Sequence, residues 1–392
     1  MIERLFYAAA GPGDIISAHR YKAADIDDPS QVSLTFSGLI EDFARHRDLR
    51  ALFVSPQGDG RSLEDGRLTL EHARKRMRSG IGYHLEQIRY GLFLLCRARA
   101  FRADTALLDL GCTHVFIMGL FRLMRIRVIP VLHNTLWPAG FPPKGRIQRI
   151  ILALDRLFWQ SGPAAVIGVS PECLRQVQTQ APTSHYPKLL AWAQFRRAYF
   201  EPVRPPSQPN GRFEMLFVGR AERDKGLLDL VPIAQALEAR EPGLVRFTVC
   251  GDGAALPALR DAVRAAGLDA SFDIIGWTRP DALIGYYSRS HAAIMPTRSD
   301  FAEGMAMTAL QAACAGRPIV TSPIVPAAEV LADAAIVVRP DDPQSYADAI
   351  YRLATDRALY TRLQEACAQA AAPAFDPERG LDRALDRAAA GL

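Results

Sequence analysis

Apolar residues along this chain gather into short continuous runs, separated by stretches of helical length with a polar face. Leu5–Ala10, Ala51–Pro56, Thr105–Leu110, Arg127–His133 and Ala165–Ser170 are such runs. Each is apolar on both faces and bounded by glycine, proline or a polar turn, the pattern of a strand buried in a parallel sheet. Between them, Val115–Met124 and Gly145–Gln160 read as helices, and Ser170-Pro171-Glu172 opens another with an N-cap serine. Leu68–Phe101 carries a largely helical pattern broken near Ser79-Gly80. Gln57–Gly66 reads as a loop, and Trp137–Pro143 as a rigid one. The alternation then restarts. Glu214–Val218, Val245–Cys250, Phe272–Ile275, His291–Pro296 and Ile319–Ser322 read as strands. Leu227–Ala239, Leu256–Ala266, Asp281–Ser288 and Met305–Ala315 read as helices, the last stopped by Gly316. A final helix covers Arg379–Ala390. Strands alternating with helices predict an α/β fold with a parallel sheet covered on both faces.

At 392 residues the chain exceeds one ordinary core, and length alone suggests about two to three domains. The proline-rich polar stretch Glu201–Arg212 is the best linker. The expected division is an N-terminal doubly wound domain over 1–200, a linker over 201–212 and a second doubly wound domain over 213–370. Residues 371–392 either close the second domain or cross back to the first.

Hydrophobic residues at 49% and charged residues at 23% are the proportions of a soluble globular protein. The six cysteines (Cys96, Cys112, Cys173, Cys250, Cys314, Cys367) are scattered singly. A disulfide or metal framework needs clusters, so reduced thiols in a cytoplasmic protein are expected. The apolar start LFYAAAG runs at once into Gly-Pro-Gly-Asp, which favours a first buried strand over a signal peptide. Asp109, His114, Arg122, Arg125 and Arg127 interrupt the longest apolar region, so no stretch reaches the ~18 residues of a membrane span. Charge is uneven. Residues 1–200 hold 27 Lys and Arg against 17 Asp and Glu, whereas residues 201–392 hold 20 against 25. A basic first half suits either an anionic partner or an ordinary solvated surface.

Ligands of parallel α/β sheets bind beyond the strands' carboxyl ends, and the chemical candidates lie there. Arg220 and Lys225 follow the strand Glu214–Val218 near a helix start, which suits a diphosphate. They are otherwise a pair of surface cations. Glu303 precedes the helix Met305–Ala315, either as a cap or as a ligand group. Gln311 lies a little over two turns on, so both are expected to project from one helix face. Glu329 is a third candidate at a strand end. His133 ends a strand of the first half, with the bland alternative that it caps a loop. The loop of Gly11, Pro12, Gly13 and Asp14 lacks a phosphate-loop signature, but its small residues permit close approach of a substrate.

These pieces converge. FVGRAERDKG, CGDG, FDIIGW, PTRSDFAEG, MAMTALQAACAGRPIV and PAAEVL, spanning 214–356, resemble the family 4 glycosyltransferases of the GT-B fold. VLHN at 131–134 and VIGVSPE in the first half match more loosely. The resemblance implies two Rossmann-like domains facing a cleft. It also implies transfer of a sugar, with retention and without a metal or other cofactor, from a nucleotide-diphosphate sugar held by the second domain. Carried over by position, Arg220 and Lys225 neutralise the leaving diphosphate and Glu303 contacts the donor sugar hydroxyls. The amides of Gly304, Met305 and Ala306 hold sugar or phosphate, and Gly276-Trp277 borders the base. Gly219 and Gly253 line the donor site, and His133 stands beside the reacting centre. The family's paired glutamates are eight apart, the second holding the ribose. Here that position is Gln311, whose amide oxygen accepts a hydroxyl without charge assistance.

The acceptor expected in the first domain is a glycan or a lipid-linked one, as in bacterial surface polysaccharide or glycolipid synthesis. The helix Gly145–Gln160 places Ile147, Ile150, Ile151, Leu154 and Phe158 on one face and Arg146, Arg149 and Arg156 on the other. Such a helix either packs on its own sheet, the favoured reading, or lies on an anionic membrane at the cell's inner face. Arg74–Arg78 and Arg97–Arg102 add basic character. A nucleotide-sugar epimerase and a catalytically weak GT-B scaffold are the competing readings. Nothing here has the aromatic-interleaved basic motif of a nucleic-acid binder. The donor's base and sugar and the oligomeric state are left open.

Overall fold

The computed structural model describes residues 2–391 except Pro12, Asp27, Ser30, Pro205 and residues 207–210, with the side chain of Ser161 also set aside. Pro12 of the predicted glycine loop, part of the predicted linker and Leu392 thus lie outside the described residues.

The first half builds one eight-stranded sheet in the order β3-β4-β2-β1-β5-β6-β7-β8. Its elements begin β1 (Arg4–Ala8), α1 (Ile15–Ala23), α2 (Phe36–His46), β2 (Arg50–Ser55), β3 (Ser62–Asp65), β4 (Leu68–His72) and α3 (Gly80–Ala100). They continue β5 (Thr105–Asp109), α4 (Val115–Leu123), β6 (Arg127–Leu132), α5 (Arg146–Ser161), β7 (Val166–Gly168), α6 (Pro171–Gln180), β8 (Lys188–Leu190) and α7 (Arg197–Phe200). All neighbours pair in parallel except β3 with β4. β5 is buried at every position, as helices on both faces demand.

The second half builds a six-stranded parallel sheet, β11-β10-β9-β12-β13-β14. It runs β9 (Phe213–Val218), α8 (Leu230–Arg240), β10 (Val245–Cys250), α9 (Leu256–Ala265), β11 (Phe272–Gly276) and α10 (Pro280–Arg289). Then follow β12 (Ala292–Met295), α11 (Met307–Cys314), β13 (Ile319–Thr321), α12 (Ala327–Val330), β14 (Ala335–Val337), α13 (Pro343–Thr355) and α14 (Arg357–Ala371). The last helix, α15 (Leu381–Ala390), leaves this half. Its Leu381, Ala384, Leu385 and Ala388 are buried in one apolar cluster with Leu39, Ile40 and Phe43 of α2, and Arg47 bonds Asp386.

Three regions differ from the sequence reading. Leu68–His72 is a strand, not the start of a helix, and Ser62–Asp65 within the expected loop is its antiparallel partner. The burial of β4 alternates strictly, a period of two that the neighbouring helix masks. Two helices, α1 and α2, occupy a region that carries no sequence assignment; Asp14 and Thr35 cap them, accepting from the amides of Ser17 and Gly38. Finally, α5 does not pack its apolar stripe on the sheet. Phe158 and Trp159 are buried, but Ile147, Ile150, Leu154 and Leu157 all face solvent. The helix is anchored on α4 through Asp155, which accepts the Phe116 amide at 2.9 Å. Burial pushes that carboxyl up to about 7.

Candidate functional site

The carboxyl ends of β9 and β12 set the site's second-domain wall. After β9, Gly219 and the exposed Arg220 lead into a 3-10 turn, Arg223–Lys225. Gly226 follows at φ 71°, and a Cβ there would lie 2.0 Å from the Pro296 carbonyl oxygen. Only glycine lets this turn seat against the loop that follows β12. That loop is pinned a second time: the Arg298 amide donates to the Asp224 carbonyl at 3.0 Å, and its guanidinium grips both oxygens of Asp229 at 2.9 Å. The result brings Lys225 and Glu303 into a direct ion pair. Their side chains are 17% and 9% exposed, sheltered enough for the pair to be stronger than a surface one. The Phe301 ring lies 4.1 Å from Lys225 Nζ and 5.5 Å from Arg220 Cζ, within cation–π range of both.

Glu303 and Gln311 do not share a helix. Residues 303–306 are irregular, α11 starts only at Met307, and Ala306 sits in the left-handed region at φ 64°. Such a conformation costs a non-glycine residue about 1 kcal/mol or more and collects at functional sites. Its effect here is to turn the Gly304–Ala306 backbone toward the first domain. A Cβ on Gly304 would lie 1.7 Å from the carbonyl oxygen of His133, so the two halves touch backbone to backbone. Met305 is buried behind them. Gln311 is also buried, its Oε1 accepting from the Tyr287 hydroxyl at 3.2 Å. The oxygen expected to receive a ribose hydroxyl therefore already has a partner.

The opposite wall is centred on His133, after β6. Its Nε2 lies 2.9 Å from Asp109 Oδ1, at the end of β5. Asp109 Oδ2 accepts from the Tyr7 hydroxyl at 2.9 Å and the Ala10 amide at 3.2 Å. Desolvation alone would depress the imidazole, but the Asp109 carboxylate outweighs it and raises His133 above its ordinary 6.5. The Phe36 ring, at the start of α2, lies 4.6 Å from the His133 ring, tilted to it by 57°. Beside it opens a cavity of about 400 Å³ whose lining includes Gly13, Asp14, Ser17, Tyr21, Gln31 and Phe36. Gly11 and Gly13 have open space on their Cα.

Of the remaining candidates, Gly253 borders the Arg220 turn, while Glu329 stands apart. Gly276 ends β11 and bonds the Gly251 amide through its carbonyl at 2.7 Å, while Trp277 is 69% exposed. Gly253 packs against the Ala221 carbonyl. Glu329 is on α12 rather than at a strand end, and it is committed to the first domain. Arg175 of α6 grips both its oxygens, at 2.9 and 2.6 Å. An exposed pair is worth at most about 1 kcal/mol, which still shifts an open–closed equilibrium about fivefold. Arg175→Glu is expected to raise the radius of gyration in small-angle scattering, and adding Glu329→Arg to restore it; an unchanged radius in the single variant argues against this contact holding the halves together.

Asp109, Phe36, Phe301, Tyr287 and Arg175 are site residues that sequence reasoning passed over. Asp109 was available as the acidic end of a fully apolar strand, a costly placement without a partner. The aromatic and arginine contacts join segments far apart in sequence and carry no local signal.

Comparison with known proteins bears on the same region. Residues 212–356 match the family described as Glycosyl transferases group 1. Over 156 residues, 39% of each chain, the protein is 28% identical to 2-deoxystreptamine N-acetyl-D-glucosaminyltransferase of Niallia circulans. Over 200 residues it is 28% identical to alpha-D-kanosaminyltransferase of Streptomyces kanamyceticus, covering 50% of this chain and 51% of that one. The chain thus spans about half or less of the curated relatives it matches. Sucrose-phosphate synthase from Thermosynechococcus elongatus superposes with a TM-score of 0.73 over 99% of this chain and 98% of that one at 14% identity. Anabaena HepE in complex with UDP superposes at 0.69 over 100% of both, at 15% identity. The chain has the GT-B fold, and its residues 212–356 are similar to the group 1 glycosyl transferases.

Proposed function

We propose that the protein is a retaining, metal-independent glycosyltransferase that moves a sugar from a nucleotide-diphosphate donor to a glycan or lipid-linked acceptor. The observation that carries this reading is the Lys225–Glu303 pair beside Arg220, directly across from His133. In the free protein the ammonium is held by the carboxylate. With donor bound, Arg220 and Lys225 face the diphosphate, and Glu303 is released toward the sugar hydroxyls. The bond from the anomeric carbon to phosphate oxygen breaks, the acceptor oxygen bonds that carbon, and the acceptor proton leaves with the diphosphate. Charge grows on the diphosphate as this happens, and fixed cations stabilise it without a divalent ion. His133 and the cavity beside Phe36 receive the acceptor. The matched family and the relatives named as glycosyltransferases support this reading.

Melting curves with UDP-, GDP- and ADP-sugars test it. One base is expected to raise the melting temperature, a ligand at a hundred times its Kd adding about 2.7 kcal/mol. The stabilisation is expected to shrink but persist in Lys225→Ala, where Arg220 still faces the diphosphate, and to vanish when both cations are replaced by alanine. No response to any nucleotide sugar overturns the donor assignment.

A further inference from the structure

We infer that the outer rim of the first domain docks on an anionic lipid bilayer, through the N-terminal turns of α3 and α5. Ile147, Ile150 and Leu154 of α5 are spaced by three and four, which sets them in one stripe. They are 60%, 61% and 40% exposed. Ile81 and Leu85 of α3 form a second stripe at 75% and 62%, extended by Met77 at 96% just before the helix. Single exposed apolar residues are ordinary, but two aligned stripes of aliphatic side chains are not.

Both helices sit on the same face of the first sheet, with α4 between them. Tyr90 of α3, Met118 of α4 and Trp159 of α5 share its core. Each runs antiparallel to the strands, so its N-terminus lies at their carboxyl ends, the end that carries His133. The gap between α3 and α4 is closed at this rim by aromatic rings: His84 stacks on His114 at 5.2 Å, and His114 on Phe116 at 5.1 Å.

Charge identifies the occupant. Residues 74–100 hold seven Lys and Arg against one acidic residue, and residues 144–161 hold four against one. That second acid, Asp155, is buried and points at α4. Arg74, Arg78, Arg146, Arg149 and Arg156 have no carboxylate partner among the described residues. Arginine stems long enough to snorkel beside an aliphatic stripe meet lipid phosphates while the isoleucines enter the acyl boundary. A protein partner of equal size would need acidic and apolar patches in matching register; a bilayer supplies both everywhere. Among the described residues no helix is long and apolar enough to cross a membrane, so this is contact from one side.

The inference rests on the surface alone and is independent of any transfer activity. Co-sedimentation of the full chain with phospholipid vesicles, with and without an anionic lipid, tests it. Wild type is expected to pellet with anionic vesicles at low salt and to be released at high salt, because the attraction is screened. Ile147→Glu/Ile150→Glu, at exposed positions, is expected to lower the bound fraction about tenfold while melting normally and keeping full transfer to a water-soluble acceptor. Equal pelleting of wild type and variant, or none by wild type, overturns the proposal. So does a dimer in solution that the double variant splits without either protein binding vesicles, which would make the stripes a self-association surface. A variant that loses vesicles and keeps transfer separates failure of docking from failure of the donor reading.

Discussion

Lys225→Ala is expected to lower the rate of sugar transfer by about 10²–10³, the usual cost of removing one preorganised donor from developing charge. The loss is expected in kcat more than in KM, since charge on the leaving diphosphate grows toward the transition state and Arg220 remains to bind the ground state. The substitution also strands Glu303, whose side chain is 9% exposed, and an uncompensated sheltered carboxylate destabilises the fold locally. Glu303→Gln separates the two effects. It keeps shape and hydrogen bonding, removes the charge, and leaves Lys225 free for the donor. Transfer is expected to fall in both variants, while only Lys225→Ala melts measurably lower. Near-normal transfer in both, measured with the true donor and acceptor, would show that the pair is structural.

Asp109→Asn is the second large effect. Asp109 joins Tyr7, the Ala10 amide and His133, so it fixes the imidazole, which the proposed mechanism places beside the reacting centre, and holds its titration above the ordinary value. Desolvation lowers His133, and the carboxylate raises it by more, for a net rise from 6.5. The sign for stability follows. A group whose folded pKa is raised stabilises fully below its unfolded value and loses that stabilisation as pH climbs through the folded value. Wild type is therefore expected to lose stability as pH rises above 6.5 and through the raised value of His133. Asp109→Asn is expected to flatten that slope, to move the corresponding limb of the kcat/KM profile to lower pH, and to cut transfer. Chemical denaturation at several pH values reads the first effect. An unaltered slope in the variant would mean that His133 and Asp109 do not exchange charge stabilisation.

Much of the architecture was legible because each buried strand is a short apolar run bounded by punctuation, and parallel sheets leave that signature undiluted. Legibility failed where the period was mixed. Leu68–His72 alternates over only five residues before a long helix, and the short α1 and α2 flank a polar, turn-like stretch over residues 24–35 that hides their period. At the site, the glutamate and lysine were readable one by one, but their union depends on Gly226 admitting the Pro296 carbonyl. The break at Ala306 was not readable, since alanine signals helix and here takes a left-handed conformation. Gln311 was readable as an amide; its commitment to Tyr287 was not. The stripe of α5 was seen and then misplaced. Amphipathicity tells which face is apolar, and burial against a sheet is only one way to use it.

One feature of the path of the chain sets how the halves move. The backbone passes between them twice, once beside Val203 and again near Ala374. The two passages are joined, since Phe195 and Trp192 donate to the Ala374 and Arg379 carbonyls at 2.9 and 2.8 Å. Arg317, fully buried, adds a bond to the Arg204 carbonyl at 2.9 Å. Two bodies connected at a single point tumble about three axes; two points define a line, and swinging about that line is the one motion left cheap. Relative motion of the halves is therefore expected to be a swing about that line, one that keeps Gly304 facing His133.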